Sequence, residues 1–367
     1  MRNVKILVAP LDWGLGHATR CIPIINELLK AGCEVSIAAE GEVFALLQKE
    51  FPIVQFLDLP GYRIFYHSIK SIFRWKIALQ IPRIMGAIRR ENRWLNTLLQ
   101  THSFDAVISD NRFGLHHPAL TSIFITHQLQ IQSGTGKWVD RWLRRINFRH
   151  ISRFNECWIP DYKGEVNLAG NLSHSNKLPG NAYYIGPLSR FKKIDTSVKY
   201  DLLMLLSGPE PSRTDWEKSL LNELTIFEGK TLFVRGLPGV CECEAPFGSE
   251  RLDIVNHLSA SELNMVIEQA EWVICRSGYT SVMDLVALEH RAILVPTPGQ
   301  PEQEYLAAYL HQNKIFCCIN QESFSIKKAI EEATSFPFNF SAFEQTAICY
   351  KQQVKALIEN IQAKKLQ

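Results

Sequence analysis

Residues 4–39 read VKILVAPLDWGLGHATRCIPIINELLKAGCEVSIAA. Val4–Ala9 is a short apolar run of the kind a buried strand needs, and it enters the loop Pro10–Gly16, which holds two glycines. Ala18–Ala31 then places Cys21, Ile24, Ile25, Leu28 and Leu29 at the spacing of one helix face, and Gly32 stands where helices commonly stop. Glu34–Ala39 is a second apolar run. Strand, helix and strand in so short a span predict a βαβ unit and a parallel sheet.

The alternation continues outward from this stretch. Val43–Glu50 reads as a helix and Val54–Leu57 as a third strand, with Ala106–Ser109 and Ser122–Thr126 as later strands. The pattern restarts at Asp201–Leu206, a strand followed by the loop Ser207-Gly208-Pro209 and a helix over Asp215–Phe227. Further strands are expected at Thr231–Val234, Ile254–Val255, Trp272–Cys275 and Ala292–Val295, with helices at Ser261–Gln269 and Ser281–Leu288. Phe343–Lys364 reads as one long helix. The expectation is an α/β chain of two Rossmann-like domains, 1–188 and 189–340, whose parallel sheets face a central cleft. The linker lies around Gly186–Ser197, and a terminal helical segment, 341–367, crosses back to the first domain.

With 46% hydrophobic and 21% charged residues, the 367-residue chain is globular in composition, which excludes disordered, collagenous and coiled-coil classes. Nine cysteines without a CxxC pair point to free thiols in a reducing compartment rather than to disulfides or structural zinc. No secretory leader is read at the start, and no apolar run reaches the ~20 residues that span a bilayer. A cytoplasmic protein, soluble or peripheral, is expected. The net charge of +3 conceals a division: 22 basic and 14 acidic residues up to Leu188 give +8, and the remaining 18 and 23 give −5. Two domains with different partners fit that split.

In open parallel sheets, ligands bind beyond the carboxyl ends of strands, near the point where strand order reverses. Four loops therefore matter. Gly14-Leu15-Gly16-His17 puts a histidine at a helix amino end, where a neutral imidazole is favoured and general-base chemistry is open to it; a glycine turn with a histidine cap is the plain alternative. It is not a dinucleotide fingerprint, because Arg20 stands where the third glycine belongs. Ser207–Ser212 is either a phosphate-holding loop or a simple turn. Cys275-Arg276-Ser277-Gly278-Tyr279-Thr280-Ser281 offers hydroxyls and a helix start, and Asp284 lies a turn further on, within reach of vicinal hydroxyls or simply favourable near a helix amino end. Pro296–Glu304 clusters amide and carboxylate groups.

Those motifs, in that order, resemble the family-28 glycosyltransferases, among them the enzyme that adds N-acetylglucosamine to the lipid-linked peptidoglycan precursor. The resemblance rests on Cys-Arg-Ser-Gly at 275–278, on Asp284, on the loop ending in Gln303-Glu304, on Gly14-Leu15-Gly16-His17 and on Thr126-His127-Gln128. It implies the GT-B fold and an inverting transfer from a nucleotide-sugar, a UDP-sugar, to a hydroxyl acceptor. By the same resemblance His17 is the general base or its neighbour. Gly14, Gly16, Ser207, Gly208, Leu258, Arg276, Ser277, Gly278, Thr280, Ser281 and Asp284 face the nucleotide and its phosphates. Tyr279, Gln303 and Glu304 face the donor sugar, and Asp110 and His127 the acceptor. The family carries glutamate where Asp284 stands and a glycine-richer loop where Ser207–Ser212 lies. The stretch Gly-Leu-Gly-His-x-x-Arg-Cys also resembles the UDP-sugar hydrolase of pseudaminic acid synthesis, which has the same fold. Hydrolysis, or nucleotide-sugar binding without turnover, are the alternative functions. No Asp-x-Asp motif is present, and neither a metal nor a cofactor is expected.

Gly61–Arg93 holds eight basic residues and one acidic residue with aromatics interleaved, and Lys137–Arg153 holds six basic residues against Asp140. A helical repeat over Phe73, Ile77, Ile81, Ile84 and Ile88 is expected to break at Pro82. A solvated basic face and an anionic membrane surface are the two main readings. Nucleic acid is set aside because no reader motif accompanies the charge. The resemblance favours the membrane and, with it, a lipid-linked acceptor at the inner face.

Overall fold

The computed structural model describes residues 3–62, 70–131, 136–175, 177–241, 249–343 and 349–366. The chain forms two compact units, the first from Met1–Phe65, Arg74–Leu188 and Gln345–Gln367, the second dominated by Ser189–Glu344.

In the first unit, β1 (Lys5–Pro10), α1 (Leu15–Lys30), β2 (Glu34–Ala39), α2 (Gly41–Glu50), β3 (Gln55–Asp58), α3 (Lys70–Leu98), β4 (Ala106–Asp110), β5 (Thr121–Ile125), α4 (Lys137–Ile151), β6 (Glu156–Ile159) and β7 (Ala182–Tyr184) follow in order. All seven strands are parallel, in the spatial order β3-β2-β1-β4-β5-β6-β7. Successive residues Ile6, Leu7, Val8 and Ala9 are all fully buried, as they must be in a sheet covered on both faces. Ile24, Ile25 and Leu28 bury the inner face of α1.

The second unit repeats the plan with β8 (Tyr200–Leu205), α5 (Ser212–Leu224), β9 (Thr231–Val234), β10 (Leu252–Val255), α6 (Ala260–Glu268), β11 (Ala270–Cys275), α7 (Tyr279–Leu288), β12 (Ala292–Leu294), α8 (Pro301–Gln312), β13 (Cys317–Cys318) and α9 (Ile326–Ser335). Its six strands are parallel, ordered β10-β9-β8-β11-β12-β13. Trp216, Leu220, Phe233, Ile274 and Ile293 are packed in its core. A Ser259–Glu262 capping box starts α6.

The last helix, α10 (Cys349–Leu366), packs on the first unit. Lys365 Nζ donates to Asp105 at 2.7 Å, and Gln353 Nε2 to Glu156 at 2.8 Å.

Three sequence expectations are corrected here. Helix α3 runs through Pro82 without a break. The proline removes one backbone hydrogen bond, and burial of Ala87, Ile88 and Leu95 further along holds the helix in place. The segment expected as helix from Phe343 has Ser341–Phe343 in a short 3-10 turn, and the helix is α10, from Cys349. Gln303 and Glu304 lie not in a loop but in the first turn of α8, which Pro301 opens in the position proline favours. The basic, aromatic side chains of Arg63, Phe65, Tyr66 and their neighbours up to Ile81 lie outside the described residues.

Each sheet has one reversal of strand order: between β1 and β4 in the first, between β8 and β11 in the second. The loops leaving the carboxyl ends of those four strands are where a parallel sheet presents a ligand site.

Candidate active-site cluster and nucleotide loops

At the first reversal, β1 delivers Pro10–Gly14 and then α1. Gly14 precedes the helix with φ 97°, a backbone region that favours glycine. Arg112 holds this loop from below. Its Nε donates to the Pro10 carbonyl at 2.8 Å and Nη1 to Glu91 at 3.2 Å, all three groups being buried. Burial raises the Glu91 carboxyl to about 7 against the opposing pull of Arg112. The loop conformation lets α1 start at Leu15, so that His17 and Arg20 fall on one helix face, three residues apart.

Asp110, the last residue of β4, receives both. His17 Nδ1 lies 3.0 Å from Asp110 Oδ1. Arg20 donates Nε and Nη2 to the two oxygens of Asp110, a bidentate pair, and its Nη2 is 2.8 Å from His17 Nδ1. Arg20 Nη1 reaches Nδ1 of His127, just beyond β5, at 3.2 Å. Asp110 is fully buried, and Arg20 and His127 nearly so. Burial alone would raise the Asp110 carboxyl, but the Arg20 charge and the hydrogen bonds from Arg20 and His17 hold it well below the usual carboxylate range. Burial lowers the His17 imidazole, and the Arg20 charge lowers it further, against the pull of Asp110. The result is a neutral histidine beside an ionised carboxylate, an arrangement able to accept a proton and to stabilise the imidazolium that forms. Gly14 and Gly16, expected at phosphates, belong to this loop. Asp110 and His127, expected against an acceptor, touch the His17–Arg20 pair directly. Arg20 is the residue sequence reading missed; its spacing from His17 was the available signal.

At the second reversal, the loop after β8 exposes Ser207 and Gly208, the latter at φ 117°. The loop after β11 runs through Ser277 to Gly278, which caps α7 without a side-chain hydrogen bond to the first-turn amides. Backbone N–H groups at such a helix start favour an anion. Gly278, Thr280 and Ser281 are half-buried there, and Leu258 is half-buried between β10 and α6. The other expected residues are placed differently. Arg276 is turned inward: its Nη1 donates to the carbonyls of Val295 and Pro296 at 3.3 Å, and its guanidinium stacks over Trp216 at 4.6 Å. Tyr279 is buried in the core. Ser277 Oγ donates to the Gln303 carbonyl at 2.9 Å and so ties the loop after β11 to the first turn of α8. Gln303 Oε1 accepts from Thr297 N at 2.9 Å, and Glu304 from Gly299 N at 2.8 Å, both side chains bracing the loop that precedes α8. Those two links keep Pro296–Gln300 shaped rather than open.

Asp284, on α7, is buried and accepts from Ser189 Oγ at 2.7 Å, with Arg190 Nε at 3.9 Å. Burial raises its carboxyl to about 6, against the smaller opposing effects of Arg190 and Ser189. The folded protein therefore binds this proton more tightly than the unfolded chain does. The resulting stabilisation is complete at acid pH and is lost as pH rises from the ordinary aspartate range through about 6. Asp284→Asn is expected to flatten that decline, read as thermal midpoints of nucleotide-free protein from about pH 4 to about pH 7. An unchanged slope would place the titration elsewhere.

Two units, each a parallel sheet with one reversal of strand order, are the building plan of the GT-B fold, and the fold comparisons agree. The crystal structure of the glycotransferase of kitacinnamycin aligns with a TM-score of 0.60 at 13% identity, covering 99% of this chain and 95% of that one. MurG of Acinetobacter baumannii aligns with a TM-score of 0.53 at 13% identity, covering 99% and 100%. The chain carries a recognisable domain of one family: residues 248–361 match the model of the glycosyltransferase family 28 C-terminal domain. A protein of Methanosarcina acetivorans named as an uncharacterized glycosyltransferase is 22% identical over 338 residues, 84% of each chain.

Proposed function

We propose that this protein is an inverting glycosyltransferase that moves a sugar from a UDP-sugar to a hydroxyl acceptor in one displacement. The His17–Asp110 pair carries the reading. The acceptor O–H gives its proton to His17, the freed oxygen bonds to the anomeric carbon, and the bond from that carbon to the diphosphate breaks. Inversion follows from attack opposite the leaving group. The second unit holds the nucleotide, with the amino end of α7 meeting the diphosphate and the loop at Leu258 meeting the base. The nucleotide-sugar is a substrate, and the scheme calls on no metal or other cofactor.

The test is a thermal-shift panel of nucleotides and nucleotide-sugars followed by product assay. A ligand that binds only the folded state raises the unfolding midpoint, by an amount that grows with the logarithm of its concentration above Kd. UDP and UDP-sugars are expected to shift it, and adenine nucleotides are not. A shift confined to another base overturns the donor assignment. Free sugar released at full rate without acceptor would favour hydrolysis over transfer.

The acceptor we propose is lipid-linked, met by the first unit at the inner face of the cytoplasmic membrane. Support comes from α4, where Trp138 is 80% and Trp142 51% exposed beside the exposed Arg141, Arg145 and Arg149. Arg141 stacks over Trp138 at 5.1 Å. Tryptophan with arginine is the composition of an interfacial helix face. Among the described residues no helix is long and apolar enough to cross a membrane. Changing Trp138 and Trp142 to serine, or Arg141 and Arg145 to glutamate, is expected to abolish sedimentation with anionic vesicles, each basic residue contributing about 1 kcal/mol. Equal sedimentation of wild type and variants removes the membrane reading.

A further inference from the structure

The buried cluster of the first unit contains more than a base and its carboxylate. A guanidinium lies between two imidazoles. The charged and titratable neighbours of His17 are Arg20 on the same helix, Asp110 at the end of β4 and His127 beyond β5, with the Cys21 thiol 3.7 Å from Asp110 on the far side. Each ring nitrogen that Arg20 meets is constrained by one fact: a guanidinium has only hydrogens to offer and no lone pair.

At His127 the consequence is direct. Nδ1 lies 3.2 Å from Arg20 Nη1, so its lone pair faces the guanidinium and the ring hydrogen sits on Nε2. At His17 two groups compete for Nδ1. Asp110 Oδ1, at 3.0 Å, asks for a hydrogen there, and Arg20 Nη2, at 2.8 Å, asks for a lone pair and repels a positive charge on the ring. A hydrogen on Nδ1 directed at Asp110 leaves the lone pair on Nε2, the form a base requires. Protonating that ring would set a cation at hydrogen-bond distance from the buried Arg20 guanidinium.

We propose that Arg20 is a positioning residue that acts through both histidines, its charge holding His17 as an unprotonated imidazole and its Nη1 fixing the ring hydrogen of His127 on Nε2. The proposal rests on His17 being the base of the transfer reaction, but its test does not use turnover alone. Nitrogen-15 NMR of the histidine rings in the ligand-free, full-length protein reads protonation and tautomer directly. In the wild type, His127 is expected to show hydrogen on Nε2, and His17 an unprotonated ring at neutral pH. Hydrogen on Nδ1 of His127 in the wild type overturns the proposal without any variant. Arg20→Gln removes the charge, and the His17 titration is expected to move to higher pH. Arg20→Lys keeps a positive charge, so His17 titrates closer to the wild type, while His127 loses its single-tautomer signature. Where Arg20→Gln does not fold, the Arg20→Lys measurement at His127 decides. A His17 titration unmoved in folded Arg20→Gln overturns the electrostatic part. In activity, the acid limb of the pH profile of kcat/KM follows the NMR titration. If the NMR titration moves and the activity limb does not, Arg20 sets the state of His17 and it is the base assignment that fails.

Discussion

Replacing His17 by alanine is expected to lower kcat by about 10²–10⁴-fold while leaving nucleotide binding intact. The two outcomes separate because His17 belongs to the first unit, whereas the loops assigned to the nucleotide belong to the second. The side chain is partly exposed, and the bidentate Arg20–Asp110 contact does not run through it. The variant should therefore fold, which makes its loss of turnover interpretable. Steady-state assay with the donor found by thermal shift, beside the thermal shift of the variant itself, provides both halves. Turnover within a few-fold of wild type would end the proposed role of His17. Lost turnover together with lost nucleotide binding would show that the variant had damaged more than the base.

Removing Asp110 acts on stability. Asp110→Ala leaves the Arg20 charge in a fully enclosed site without its carboxylate, and breaking a buried pair in this way costs about 3–5 kcal/mol. The expected reading is a lower urea midpoint at neutral pH. The sign of the pH dependence follows from the same geometry. Asp110 titrates below the usual carboxylate range in the folded state, so its contribution is present at neutral pH and is lost as pH falls through and below that range. Asp110→Ala should thus differ most from wild type near neutrality and converge with it in acid. Combining it with Arg20→Met, which removes the stranded charge, is expected to recover a large part of the loss. An Asp110→Ala protein as stable as wild type would mean that water or another group satisfies Arg20 there.

Much of the architecture was legible before any coordinates. The glycine-containing loop after Val4–Ala9, the strand at Trp272–Cys275 and the helix carrying Asp284 all announce themselves by local periodicity and turn chemistry. The strands that escaped notice are β6, β7 and β13, four, three and two residues long. Runs so short carry no period, and their strand character comes from the neighbours they pair with. Proline misled in both directions. Pro82 looked like a stop but lies within a helix anchored elsewhere, and Pro301 looked like part of a loop but opens one.

The candidate site divides along the same line. Local patterning set the α/β class, placed His17 at the start of a helix and put hydroxyls at the head of α7, because spacing within one element is settled by that element's own geometry. Strand order was decided only by tertiary structure. Pairing β4 beside β1 brings Asp110 across 93 residues of chain to His17 and Arg20, and the packing around β11 turns Arg276 and Tyr279 away from solvent. Hydrophobic burial against distant neighbours made those choices, and nothing in the local sequence pattern records which neighbours those would be.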